Sequence, residues 1–120
     1  MKMTNREAYQ HILTLHALRE TKLSLPVVTG YRILQNLRAL EDAAGPYIEA
    51  RDSIIKKYSK GKEELTMSSD PGAFKACTIE LSEIDVLEVD VNIVKVHVNQ
   101  IENLNLTLDI LFDLDFMLEG

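Results

Sequence analysis

Three histidines, one cysteine and a scatter of serines and carboxylates are the side chains in this 120-residue sequence that could do chemistry, and their spacing decides what kind. His11 and His16 stand five apart, about 140° around a helix, so they do not share a metal as an i, i+4 pair would. His97 has no Cys or His at ligand spacing, so neither a metal nor any other cofactor is expected. Ser53, Ser59, Ser68, Ser69 and Ser82 lie in no nucleophile-elbow pattern, and no glycines form a phosphate-cradling run. Asp113 and Asp115, like Glu83 and Asp85, are two apart and diverge on a helix, which suits a solvated face rather than acid–base work. Cys77, the one cysteine, has no disulfide partner and sits among apolar residues at helical spacing, where a buried inert thiol is the ordinary outcome. No reaction is written in these residues, and the chain is expected not to be an enzyme.

The remaining candidates concern binding. Lys56, Lys57, Lys60 and Lys62, with Tyr58 among them, make a basic patch at the end of an amphipathic segment, where lysines complement the helix dipole. Phosphate contact is the rival reading, but the net charge is −6 and no nucleic-acid motif accompanies the patch. Arg51 interrupts an apolar seam, so it must pair, reach outward or face a wet interface. Glu80 or Glu83 is the expected partner, and a polar seam residue suits a role in fixing register or oligomeric state. Tyr47, Tyr58, Phe112, Phe116 and Met117 join Arg51 as candidate interface residues.

Charge divides along the chain. Residues 1–62 hold eleven Lys/Arg against six Asp/Glu, a balance of +5, and residues 63–120 hold two against thirteen, a balance of −11. Such polarity steers encounters with partners rather than choosing a fold. With 46% apolar and 27% charged residues, the chain can bury a core as one domain over residues 1–120. No apolar run reaches the roughly 18 residues of a membrane span. The opening residues lack the apolar block of a signal peptide, which points to a cytoplasmic protein.

The elements that position these residues follow from periodicity. Thr4 and Glu7 form a capping box, opening a helix with Ala8, Ile12 and Leu15 on its apolar stripe up to about Thr21. Pro26 suits the first turn of a second helix. There Ile33, Leu37, Leu40, Ala44, Tyr47, Arg51, Ile54 and Tyr58 recur at 4-3-4-3-4-3-4, a heptad seam over residues 27–59. Pro46 removes a donor within it, so a kink or break is expected, with the in-phase register favouring a bend. Residues 63–70 read as a loop that could hold a short edge strand. Asp70-Pro71 then caps a third helix, with Phe74, Cys77, Leu81 and Ile84 at 3-4-3 spacing, packing antiparallel on the second.

From Glu88 the period becomes two: Val89, Val91 and Ile93 alternate with polar residues, and then parity flips to Val94, Val96 and Val98. A bulge or turn near Ile93-Val94 follows. The strand's expected mate is the 64–67 segment, its own second half or another copy. Residues 108–118 read as a final helix, apolar on more than one face and therefore buried or at an interface. The fold class is mainly α (α+β): a helical hairpin or coiled-coil-like bundle with a small β element and a C-terminal apolar helix.

Several strings share a likeness. Leu25-Pro26-Val27 with Tyr31, Ile33, Asn36-Leu37 and Leu40-Glu41, then Glu49-Ala50-Arg51 and Ile54-Ile55-Lys56-Lys57-Tyr58, resemble small phage and prophage proteins of a family with no assigned function. Glu88-Val89-Asp90-Val91 and the run from Leu106-Thr107 to Phe116-Met117-Leu118-Glu119 resemble its second half. The resemblance implies a phage product acting in the cytoplasm of an infected bacterium and carries over no active-site residues. Together with small size and charge polarity it favours a non-catalytic protein-binding factor that inhibits a bacterial antiviral defence. The alternatives are a virion assembly or tail-associated structural protein, and an oligomeric sponge for a signalling nucleotide, in which Arg51, His97 or the lysines would line a pocket. The expected partners are a host bacterial protein and further copies of the chain, with neither membrane nor nucleic acid among them.

Overall fold

Thr4 opens the first helix as its spacing demands. Its hydroxyl accepts the Glu7 N–H at 3.1 Å, and its own N–H donates to the Glu7 carboxylate at 3.1 Å. The Thr4 N–H, and then the Thr4 hydroxyl 3.0 Å from the same oxygen, hold the Glu7 carboxyl below the ordinary carboxylate range. A computed structural model describes residues 1–59 and 70–120. In chain order they form β1 (Lys2–Thr4), α1 (Asn5–Glu20), α2 (Val27–Ser59), α3 (Pro71–Asp85), β2 (Glu88–Asp90), β3 (Val96–His97), α4 (Leu108–Leu114) and β4 (Leu118–Glu119), with single 3₁₀ turns at Val98–Gln100, Glu102–Leu104 and Asp115–Met117. The fold is mainly helical with a small β element. Among the described residues no helix is long and apolar enough to cross a membrane.

α2 is the axis, running 33 residues through Pro46 without a break. Both Pro46 and Asp42 are exposed, so the carbonyl that loses its donor has water to bond instead. The heptad seam faces inward: Leu37, Leu40, Ala44 and Tyr47 are buried, and Ile33, Arg51, Ile54 and Tyr58 half-buried. Its cover comes from the same chain, α1 on one side and α3 on the other. α3 runs antiparallel to α2, since Tyr47 meets Asp85 while Lys57 meets Glu80. Asp70 caps α3 through the Ala73 N–H at 3.1 Å, with Pro71 at the first position.

The strand beginning at Glu88 finds a mate that the sequence reading did not name. β2 pairs antiparallel with β1 in the register Lys2↔Asp90, Met3↔Val89 and Thr4↔Glu88, and the 64–67 segment lies outside the described residues. The parity flip is real, and it is wider than a bulge. Residues 91–95 leave the strand altogether, and β3 then pairs in parallel with β4, Val96 opposite Leu118 and His97 opposite Glu119. Asn36, fully buried on α2, holds this crossing: its Nδ2 donates to the Val94 carbonyl at 2.9 Å, and its Oδ1 accepts the Val94 N–H at 2.7 Å. The switch lets Val91 and Val96, of opposite parity, both reach 1% exposure in one core with Leu15, Leu40, Leu114 and Met117.

The expected terminal helix over 108–118 is shorter. It opens at Thr107, whose hydroxyl accepts the Ile110 N–H at 3.3 Å, and gives way after Leu114 to a 3₁₀ turn and β4. Pairing with β3 is what ends it, because Leu118 and Glu119 need extended backbone to meet Val96 and His97.

Candidate functional site

The candidate residues separate into three places. Arg51 does not pair with Glu80 or Glu83. Its guanidinium lies over the Tyr9 ring, 4.8 Å from the centroid, and Glu80 goes to Lys57 at 3.1 Å. Tyr9 meets Tyr47 edge-on, with centroids 5.9 Å apart, and the buried Tyr47 hydroxyl donates to Asp85 at 2.6 Å. Burial first, then Asp85, pushes the Tyr47 phenol up to about 12. Arg6, Tyr9, Arg51, Ser82 and Asp85 line a cleft of about 400 Å³ between α1, α2 and α3. A seam arginine is thus accommodated by an aromatic face and an open cleft, a solution that spacing alone does not disclose.

The basic patch is described only in part. Lys56 is exposed, Lys57 is engaged by Glu80 and also lies 4.9 Å from the Tyr58 ring centroid, and Lys60 and Lys62 lie outside the described residues. The bond to Glu80 holds the Lys57 ammonium above its ordinary range.

The C-terminal aromatic cluster is divided. Met117, expected at an interface, is 1% exposed and belongs to the core. Phe116 stacks on His11 at a centroid distance of 3.8 Å and an interplanar angle of 18°. Phe112 is 71% exposed, beside Leu108 at 68%. Leu13, Ala17, Leu18, Ile110, Asp113 and Leu114 line an apolar groove of about 310 Å³ between α1 and α4. Asp113 lines its α4 side, and Asp109 stands one turn before it, both exposed. The sequence reading paired Asp113 with Asp115. The telling pair was Asp109 and Asp113 at i, i+4, beside Leu108 and Phe112 at the same spacing.

None of this geometry resembles an activated nucleophile or a metal centre. Burial pushes the Cys77 thiol up, away from the thiolate that reactivity needs. The Ser82 hydroxyl donates to the Ile79 carbonyl at 2.7 Å, and His97 Nδ1 accepts the Asn99 N–H at 3.2 Å. Among the described residues no three His, Cys, Asp or Glu side chains gather closely enough to hold a metal ion.

His11 carries a pH dependence. Burial lowers its pKa, against the opposing pull of Glu7 on its own helix and Asp113 on α4. The folded chain therefore resists a proton that the unfolded chain accepts below about 6.5. This group's full contribution to stability is present above that value and is lost as pH falls toward the lower folded pKa. Urea midpoints of the wild type should fall between pH 7.5 and 5.5, with a smaller fall in His11→Gln. Equal slopes in the two proteins would refute the assignment. The imidazole C–H shifts of His11 should titrate with a midpoint below about 6.5.

No family model, no curated protein and no solved structure matches this chain.

Proposed function

We propose that this chain is a non-catalytic protein-binding factor whose α1–α4 groove seats a basic amphipathic segment of a partner protein. One observation carries the reading: Leu13, 52% exposed, joins Ala17, Ile110 and Leu114 along an apolar groove of about 310 Å³ edged by Asp113. Apolar side chains grouped at a groove supply binding area, and the carboxylates select lysine or arginine and speed the encounter. The −11 balance of residues 63–120 extends the same preference. The likeness of several strings to phage and prophage proteins supports a bacterial partner in the cytoplasm of an infected cell. Inhibition of an antiviral defence is the role we assign to the binding.

The test is site-directed photo-crosslinking in the full chain, expressed in bacteria, with the probe at the groove-lining position 13 and a control probe at the exposed position 75 on α3. We expect an adduct with a specific bacterial protein from position 13 alone. Reversing both carboxylates (Asp109→Lys with Asp113→Lys) should weaken it at least tenfold, in a salt-dependent way. Identical adducts from both positions, or indifference to the reversal, would overturn the proposal.

A second reading, sequestration of a small anionic molecule, has one observation in its favour. Arg6 and Arg51 line the same cleft of about 400 Å³. Asp85 in that cleft opposes an anion, and the groove is the stronger site. Native mass spectrometry of protein from infected cells decides between them, since a retained ligand lost in Arg51→Ala belongs to the cleft.

A further inference from the structure

The first two turns of α2 carry an apolar stripe with no cover. Val27 is 87% exposed, Val28 55%, Tyr31 61% and Leu34 42%. Val27, Tyr31 and Leu34 follow each other at 4 and 3 residues, a line about 120° around the helix from the inner seam. Scattered exposed apolar residues are ordinary, but a continuous stripe marks an interface. The same spacing continues to Arg38 and Glu41, both exposed, with Asp42 beside them. No ion pair engages any of these three among the described residues. At the other end, no acidic residue stands in the first turn of α2, and the exposed Lys22 lies just before it.

We propose that this stripe is a self-association surface: two copies pack it antiparallel about a two-fold axis that sets Tyr31 of one against Leu34 of the other. A two-fold interface uses one patch twice, so the patch must complement itself. This one does. The antiparallel register lays Val27 on the stem of the partner's Arg38. It also carries Glu41 and Asp42 to the start of the partner's α2, where Lys22 and the positive end of the helix dipole stand. A parallel arrangement would instead set Arg38 on Arg38, Glu41 on Glu41 and two positive helix starts side by side. The occupant is therefore a second copy rather than a foreign helix, because Glu41 and Asp42 are answered within the patch by Lys22 and the start of α2. The inner seam stays filled by α1 and α3, and the α1–α4 groove remains free in the dimer.

Sedimentation velocity on the intact protein, from low to high micromolar concentration, should show a monomer–dimer equilibrium. Leu34→Glu should raise the dissociation constant about thirtyfold or more, as loss of a central apolar anchor does. Its far-UV circular dichroism should stay unchanged, since Leu34 is exposed and stands outside the core cluster. Lys22→Glu alone, and Glu41→Lys with Asp42→Lys alone, should each be weakened. Mixing the two should restore dimer, because both end contacts of the mixed pair then unite opposite charges. A wild type that stays monomeric throughout, or dimers indifferent to Leu34→Glu, would overturn the proposal. Failure of the mixture to recover would overturn the antiparallel register.

Discussion

Asn36→Ala is expected to destabilise the protein by about 2–4 kcal/mol, more than the loss of one ordinary hydrogen bond, because it leaves both backbone polar groups of Val94 without a partner. The amide does the work of an absent neighbouring strand: donor and acceptor meet the Val94 carbonyl at 2.9 Å and N–H at 2.7 Å, from a side chain with no exposure. Nδ2 also lies 3.6 Å from the Met117 sulfur, so the same residue touches the docked C-terminal segment. Asn36→Leu separates packing from bonding. It fills the space but satisfies nothing, and should lose nearly as much, whereas a defect that was only a cavity would largely recover. Urea midpoints measure both, and hydrogen exchange at Val94 reads the clamp itself, which should lose protection in either variant. Two variants within about 0.5 kcal/mol of wild type would show that the crossing between β2 and β3 holds without the amide.

That clamp marks the line between what the sequence discloses and what it does not. Caps and stripes are local, so Thr4 with Glu7, Asp70 with Pro71 and the seam from Ile33 to Tyr58 identify their helices and the buried side of each. The parity flip at Ile93-Val94 is equally local, and it correctly foretells that one strand cannot continue. Where the two halves go is not local. β2 pairs with β1, Glu88 meeting Thr4 across 84 residues of sequence (88 − 4), and β3 pairs with β4. Three-residue and two-residue strands have too few alternating positions to announce themselves as partners. Arg51 shows the same limit in the site: its spacing exposes the anomaly, but Tyr9 on another helix resolves it, and only the packing of α1 on α2 brings them together. The outer stripe at Val27, Tyr31 and Leu34 was legible, and the stronger inner seam beside it concealed it.

Met117→Ala and Phe112→Ala should differ sharply, although the two residues read alike as apolar members of one terminal segment. Met117 is 1% exposed, in a core shared with Val96, Leu114 and Leu40, and truncating it should cost about 2–5 kcal/mol in transfer and cavity terms. Phe112, 71% exposed, should change stability by less than about 0.5 kcal/mol. Helical phase separates them once the segment is read at 3.6 residues per turn rather than as uniformly apolar. Ile110, Leu114 and Met117 fall at 4-3 spacing on the side facing α1 and β3, whereas Leu108 and Phe112 lie on roughly the opposite side. Losing Met117 also unseats the 3₁₀ turn that feeds β4, so the Val96–Leu118 pairing should open with it. Denaturant unfolding gives both free energies, and exchange at the β3 amides should rise in Met117→Ala alone. Equal losses from the two truncations would mean that the outer face of α4 is packed as firmly as the face turned toward α1 and β3.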